Sequence, residues 1–146
     1  MPKSELFNKI LPQERIIHDE LLRYAYATDA SLYRMLPWLV LLVETEAEVV
    51  QIIQIANQNK IQLTFRAAGT SLSGQAVTDQ VLVVLSASSW QKYQISPDGS
   101  SIKLQPGIIG AQANRWLARY KRQIGPDPGS IEAAKIGGII ANNSNF

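Results

Sequence analysis

The residues best suited to chemistry are Arg66-Ala67-Ala68-Gly69-Thr70-Ser71-Leu72-Ser73-Gly74-Gln75. A backbone comes within hydrogen-bonding distance of a phosphate oxygen only where side chains are small, because a branched Cβ blocks the approach. Ala67, Ala68, Gly69 and Gly74 meet that need. Thr70, Ser71 and Ser73 add hydroxyl donors that can meet anionic charge without a metal. The stretch reads as an anion cradle or, equally, as a tight connection between a strand and a turn, since Gly- and Ser-rich loops are commonest as turns. Two nucleotide loops are excluded. Gly69 and Gly74 have Walker spacing, but Gln75 and Ala76 stand where the lysine and the magnesium-binding hydroxyl belong. No three glycines fit Gly-x-Gly-x-x-Gly.

Little else in the chain invites chemistry. With no cysteine, thiol catalysis, disulfides and iron–sulfur ligation by these residues are excluded. A single histidine, His18, rules out a His-rich metal site, and we assign no metal ligand. Asp19, Glu20, Glu44, Glu46 and Glu48 read as solvated charges at helix ends rather than a catalytic pair. Asp29 reads as a local cap or turn residue. Trp38, Trp90 and Trp116 are too dispersed for a stacking platform. We name no catalytic residue.

The elements that would carry the loop follow from periodicity. A helical start is expected over about 13–26, then a buried strand at Leu39–Val43. Thr45-Glu46-Ala47-Glu48 has capping-box form, and Val49, Ile52, Ile53 and Ala56 mark one face of a helix ending near Asn57–Lys60. Ile61–Phe65 and Val81–Leu85 read as further strands, so a parallel βαβ unit precedes the loop. Tyr93–Ile95 and the alternating Ile102–Gln105 flank a Ser96-Pro97-Asp98-Gly99-Ser100 turn, a hairpin. Ile109, Ala113, Trp116, Leu117 and Tyr120 then mark an amphipathic helix ending before Gly125-Pro126.

The chain is 146 residues long, one domain's worth, with 46% hydrophobic and 18% charged residues, as in ordinary globular proteins. A net charge of +2 with scattered Lys and Arg argues against a nucleic-acid partner. The apolar run Leu36–Val43 is far shorter than the roughly 20 residues of a membrane span. The N-terminus lacks the pattern of a secretory signal, so a cytoplasmic setting is expected. The chain ends soon after the apolar, Gly-rich Ile136–Asn143, and reads as an N-terminal fragment.

Arg66 to Gln75 closely resembles the pyrophosphate loop of FAD-binding domains of the vanillyl-alcohol-oxidase/p-cresol-methylhydroxylase (PCMH) type, especially the D-2-hydroxyacid dehydrogenase and glycolate-oxidase-subunit branch. Tyr26–Tyr33, Val81–Leu85, Gln105-Pro106-Gly107, Gly125–Ser130 and Ala134–Asn143 fall in the family's order, so the resemblance spans about residues 15–146. It implies an α+β fold: a small parallel βαβ lobe (1–86) carrying the loop, then the start of a mixed, more antiparallel lobe (87–146), together one incomplete FAD-binding domain. FAD would lie between them. Arg66, Ala67, Ala68, Gly69, Thr70, Ser71, Leu72, Ser73 and Gly74 would wrap its pyrophosphate. Pro128, Gly129, Ser130, Lys135, Ile136, Gly137, Gly138 and Asn142 would lie along the ribityl chain and flavin, with Gly137-Gly138 leaving room for a flat ring. Glycine is usual where Ala67 and Ala68 stand, and threonine is common where Lys135 stands. That lysine would face flavin or phosphate, or point to solvent. The resemblance further implies non-covalent FAD, since Gly69-Thr70-Ser71 holds no histidine, and a parent dehydrogenase oxidising a small D-2-hydroxy acid by hydride transfer to flavin N5. That substrate would be met only in the full-length enzyme, through a later domain. The alternatives are a non-catalytic nucleotide- or phosphate-binding module and an inactive fragment. A yellow, flavin-absorbing protein would favour the enzyme reading.

Overall fold

The computed structural model describes residues 3–86 and 88–144. Two unbroken apolar runs, β2 (Leu39–Val43) and β4 (Val81–Leu85), form the centre of a four-stranded sheet, as expected of strands covered on both faces. Strand β3 (Leu63–Arg66) pairs parallel with β4, and β4 pairs parallel with β2, so both neighbours start level with Val81. The short β1 (Ile16–Ile17) closes the other edge antiparallel, Ile16 opposite Leu41. The sheet order is therefore β1-β2-β4-β3. Helix α2 (Glu46–Gln58) crosses from β2 to β3 and buries Ile52 and Ala56. Phe7 and Leu11 join Ile16, Leu39, Leu41, Val81 and Trp90 in this core.

The second half is a hairpin of β5 (Tyr93–Ile95) and β6 (Ile102–Leu104), followed by α3 (Gly110–Leu117) and α4 (Ile136–Ala141). Ile108, Ala134, Ile136 and Ile139 form a separate core cluster, with Leu104 and Trp116 packed against it. Trp116 stacks on Tyr93, ring centroids 3.8 Å apart. The fold is α+β, with a parallel βαβ layer followed by an antiparallel pair.

One expectation needs correction. The helix expected over 13–26 is a 3₁₀ turn (Gln13–Arg15), then β1, then a single short helix α1 (Glu20–Tyr24). Ile16 and Ile17 gain more from sheet pairing and burial than from continuing a helix. The strands flanking α2 are parallel, as expected, with β4 lying between them. The apolar, Gly-rich segment Ile136–Ala141 is helical.

Candidate functional site

Strand β3 delivers the chain to Arg66 at the carboxyl edge of the parallel strands, where open α/β sheets place their ligands. The loop beyond it turns on two glycines in the left-handed region, Gly69 at φ +73° and Gly74 at φ +77°. A Cβ at Gly69 would lie 2.5 Å from the Arg66 guanidinium, and one at Gly74 would lie 2.8 Å from the Tyr33 ring. Any side chain there would collide with its own support. Among the described residues, the backbone N–H groups from Gly69 through Gln75 donate to no protein acceptor. Donors left free in this way are what an anion cradle needs.

The loop borders a cleft of about 830 Å³. Arg66, Ala67, Ala68, Gly69, Thr70 and Ser71 line it, and so do Lys135, Gly137, Gly138 and Asn142 from around α4. A smaller recess of about 180 Å³ is lined by Thr70, Ser71, Leu72, Ser130, Gly138 and Asn142. The structure thus brings together two segments about 60 residues apart in sequence. Ser73, Gly74, Pro128, Gly129 and Ile136 line neither space: Ile136 is buried in the second core, and Gly74 shapes the loop against Tyr33. The two glycines of α4 differ. A Cβ at Gly137 would press on Pro106 at 2.9 Å, whereas one at Gly138 would meet no protein atom within 4 Å. Gly138 leaves open room, and Gly137 answers to packing.

Two cations line the cleft. Arg66 Nη1 donates to the carbonyls of Tyr26 at 3.1 Å and Thr28 at 2.7 Å, so part of its guanidinium is committed to the protein. Burial lowers its pKa, against the attraction of Asp29. Lys135 is half-buried, and burial lowers its pKa too. Among the described residues no carboxylate pairs with it. The Ser71 hydroxyl donates to the side-chain oxygen of Gln75, leaving Thr70 as the cleft hydroxyl without a partner among the described residues.

Sequence reasoning missed part of the wall. Glu46, Val49 and Val50 of α2, with Phe65, Leu85, Trp90 and Pro106, also line the cleft. Val49 has core periodicity, which hid its second role. Phe65, next to last in β3, is 45% exposed, an outward-facing aromatic that no alternation flagged. Trp90 is buried and donates its indole N–H to the Val43 carbonyl at 2.8 Å, while presenting surface to the cleft.

A family model described as an FAD binding domain matches residues 37–145. The chain belongs to that family. It is 28% identical over 126 residues to D-2-hydroxyglutarate dehydrogenase of Haemophilus influenzae, covering 84% of this chain and 12% of that protein. It is 30% identical over 136 residues to glycolate oxidase subunit GlcD of Escherichia coli, covering 92% of this chain and 27% of that subunit. The chain therefore spans about an eighth to a quarter of these relatives. Among solved structures, alkyldihydroxyacetonephosphate synthase superposes with a TM-score of 0.77 at 20% identity, over 99% of this chain and 30% of that one. A substrate-bound p-cresol methylhydroxylase superposes with a TM-score of 0.69 at 15% identity, over 97% of this chain and 28% of its own. The expected PCMH-type architecture is borne out. The site fits the family's cofactor, FAD: unsatisfied amides on two left-handed glycines offer donors for a diphosphate, and the open face of Gly138 leaves space beside them. Among the described residues no helix is long and apolar enough to cross a membrane, and no cluster of His, Cys, Asp and Glu could hold a metal.

Proposed function

We propose that this chain is the FAD-holding portion of a flavin-dependent oxidoreductase, and that the whole protein oxidises a small D-2-hydroxy acid of the lactate, glycolate or 2-hydroxyglutarate kind to a 2-oxo acid. The carrying observation is the row of amides from Gly69 to Gln75, without acceptors among the described residues, of which Gly69, Thr70, Ser71 and Gln75 border the cleft shared with Lys135, Gly138 and Asn142. The amides of Gly69 to Gly74 and the Thr70 hydroxyl bind the diphosphate. Gly138 and Asn142 accept the ribityl and flavin side, and Lys135 supplies positive charge to it. Residues 1–86 and 87–146 act as the first lobe and the start of the second within one incomplete FAD-binding domain. Two separate core clusters support that division. Bound FAD would supply the two-electron acceptor that no side chain provides. The substrate class rests on the names of the relatives and on the motif resemblance. FAD is held non-covalently, since no histidine stands in the loop. We propose a cytoplasmic setting and, on the small net charge of +2 and the scattered Lys and Arg, no nucleic-acid partner.

Titrating the full 146-residue chain with FAD tests this reading. Flavin fluorescence or calorimetry should register binding with a dissociation constant of about 0.1 mM or tighter. Riboflavin, which lacks the diphosphate, should bind more weakly. Acid precipitation should release all the flavin into the supernatant. Absence of any heat or spectral change at hundreds of micromolar FAD, roughly where such affinities must register, would end the flavin assignment for this chain.

A further inference from the structure

The free amides of the loop raise a question of support, because seven consecutive residues whose N–H groups donate to no protein acceptor among the described residues should not hold one shape unaided. The support comes from behind. Residues 26–35 form a small hairpin-like turn, closed by the Thr28–Arg34 bridge and by the Met35 N–H donating to the Ala27 carbonyl at 2.9 Å. This turn grips the loop along its length. At the entry, Arg66 donates to the carbonyls of Tyr26 and Thr28. Further on, the Ala30 N–H donates to the Gly69 carbonyl at 3.0 Å, and the Tyr33 ring lies against Gly74. At the exit, one Asp29 oxygen accepts from the Ala76 N–H at 3.4 Å while the other accepts from the Ser31 N–H at 2.8 Å. Asp29 thus joins the turn's own geometry to the far end of the loop.

We propose that Asp29, acting with Arg66, is a positioning residue that holds the loop's amides outward toward the diphosphate. The inference rests on the FAD reading above. Asp29 lines neither the cleft nor the recess, so its influence runs through the loop. Burial pushes its carboxyl up, but the bonds from Ser31 and Ala76 and the charge of Arg66 outweigh that and keep it below its ordinary value. The group acts as a carboxylate.

The test compares Asp29→Ala and Asp29→Asn with the unaltered chain, using FAD, ADP and riboflavin as probes, together with ¹⁵N relaxation of residues 66–76. In Asp29→Ala, FAD and ADP should bind roughly tenfold more weakly or worse, as expected when preorganisation is lost. Riboflavin affinity should stay unchanged, and Asp29→Asn should fall between. Order parameters should drop in the loop and hold in β2 and β4. Equal weakening of all three ligands would mean general loosening and would overturn the proposal. So would unaltered FAD and ADP binding in both variants. If the unaltered chain binds neither FAD nor ADP, the flavin reading falls. Relaxation then judges the positioning claim by itself, and an equally rigid loop in Asp29→Ala would defeat it.

Discussion

Lys135 is the cation proposed to face the ligand, and the fold holds it at a cost. It lines the cleft half-buried, with no carboxylate beside it among the described residues, so the folded protein disfavours its charge. Burial lowers its pKa from the ordinary 10.5. The unfolded chain then holds this proton more tightly than the folded one, and stability rises with pH in the window just below 10.5. An anion in the cleft would reverse the preference by pairing with the ammonium. Lys135→Met should therefore leave the unliganded protein as stable or more so and abolish that alkaline rise, as followed by urea unfolding across pH. The same substitution should weaken FAD binding several-fold, most at low salt, where charge attraction is least screened. Unaltered affinity at low salt would show that the ammonium points away from the ligand. The sequence showed this lysine's position but not its direction. Direction depends on how α4 packs on Pro106, a contact between segments about 30 residues apart.

At the scale of elements, legibility followed the range of the interactions. The capping box at Thr45 is local, and it formed as its spacing requires: the Glu48 N–H donates to the Thr45 hydroxyl at 3.2 Å, and the Glu48 carboxylate accepts from the Thr45 N–H at 3.2 Å. The Ser96–Ser100 turn is equally local, with Asp98 accepting from the hydroxyls of Ser96 and Ser100. Strand β1 was illegible because what holds it is distant. Arg15, just before it, makes a bidentate pair with Glu48 at 3.0 and 2.8 Å, 33 residues ahead. The insertion of β4 between β2 and β3 is likewise a matter of long-range pairing that no window contains. For the site, the loop's composition revealed the anion-binding half, while the apolar wall of Val50 and Phe65 exists only once α2 and β3 lie together. Glu48 carries a prediction. Burial raises its pKa, but bonds from Arg15, Glu44 and Thr45 outweigh that and hold it below 4.5. Its contribution is complete above that value and is lost as pH falls through and below it. Glu48→Gln should cost about 2 kcal/mol at pH 7, in line with hydrogen bonds to a charged group. It should also flatten the acid limb of the stability curve. Parallel acid limbs for the two proteins would show that the pair contributes nothing.

At the scale of the whole molecule, the cleft matters because of what it joins. One wall grows from the sheet core around Leu41 and Val83, and the other from the cluster around Ile108, Ile136 and Ile139. Few bonds cross between them. Trp90 sits in the first core and ties to Val43 through its indole, while its carbonyl accepts from the Gly107 N–H at 3.1 Å. The Pro106 carbonyl in turn accepts from the Gly137 N–H at 2.9 Å. A ligand held by both the 66–76 loop and α4 would add a second, larger bridge between the clusters. Without ligand the second cluster, small and joined to the first through this seam, should unfold before the sheet, giving a broad or two-step calorimetric transition. With FAD at a hundredfold excess over its dissociation constant, mass action adds about 2.7 kcal/mol. For a chain of this size that raises the midpoint by roughly 5–10 °C. More telling than the shift is its shape: both steps should move together and merge, since FAD leaves when either wall is lost. Scanning calorimetry with and without FAD, with intrinsic fluorescence from Trp90 and Trp116 reporting on the two clusters, reads both effects. A rise confined to the sheet transition would mean that the ligand sits on the loop alone and that α4 takes no part in holding it.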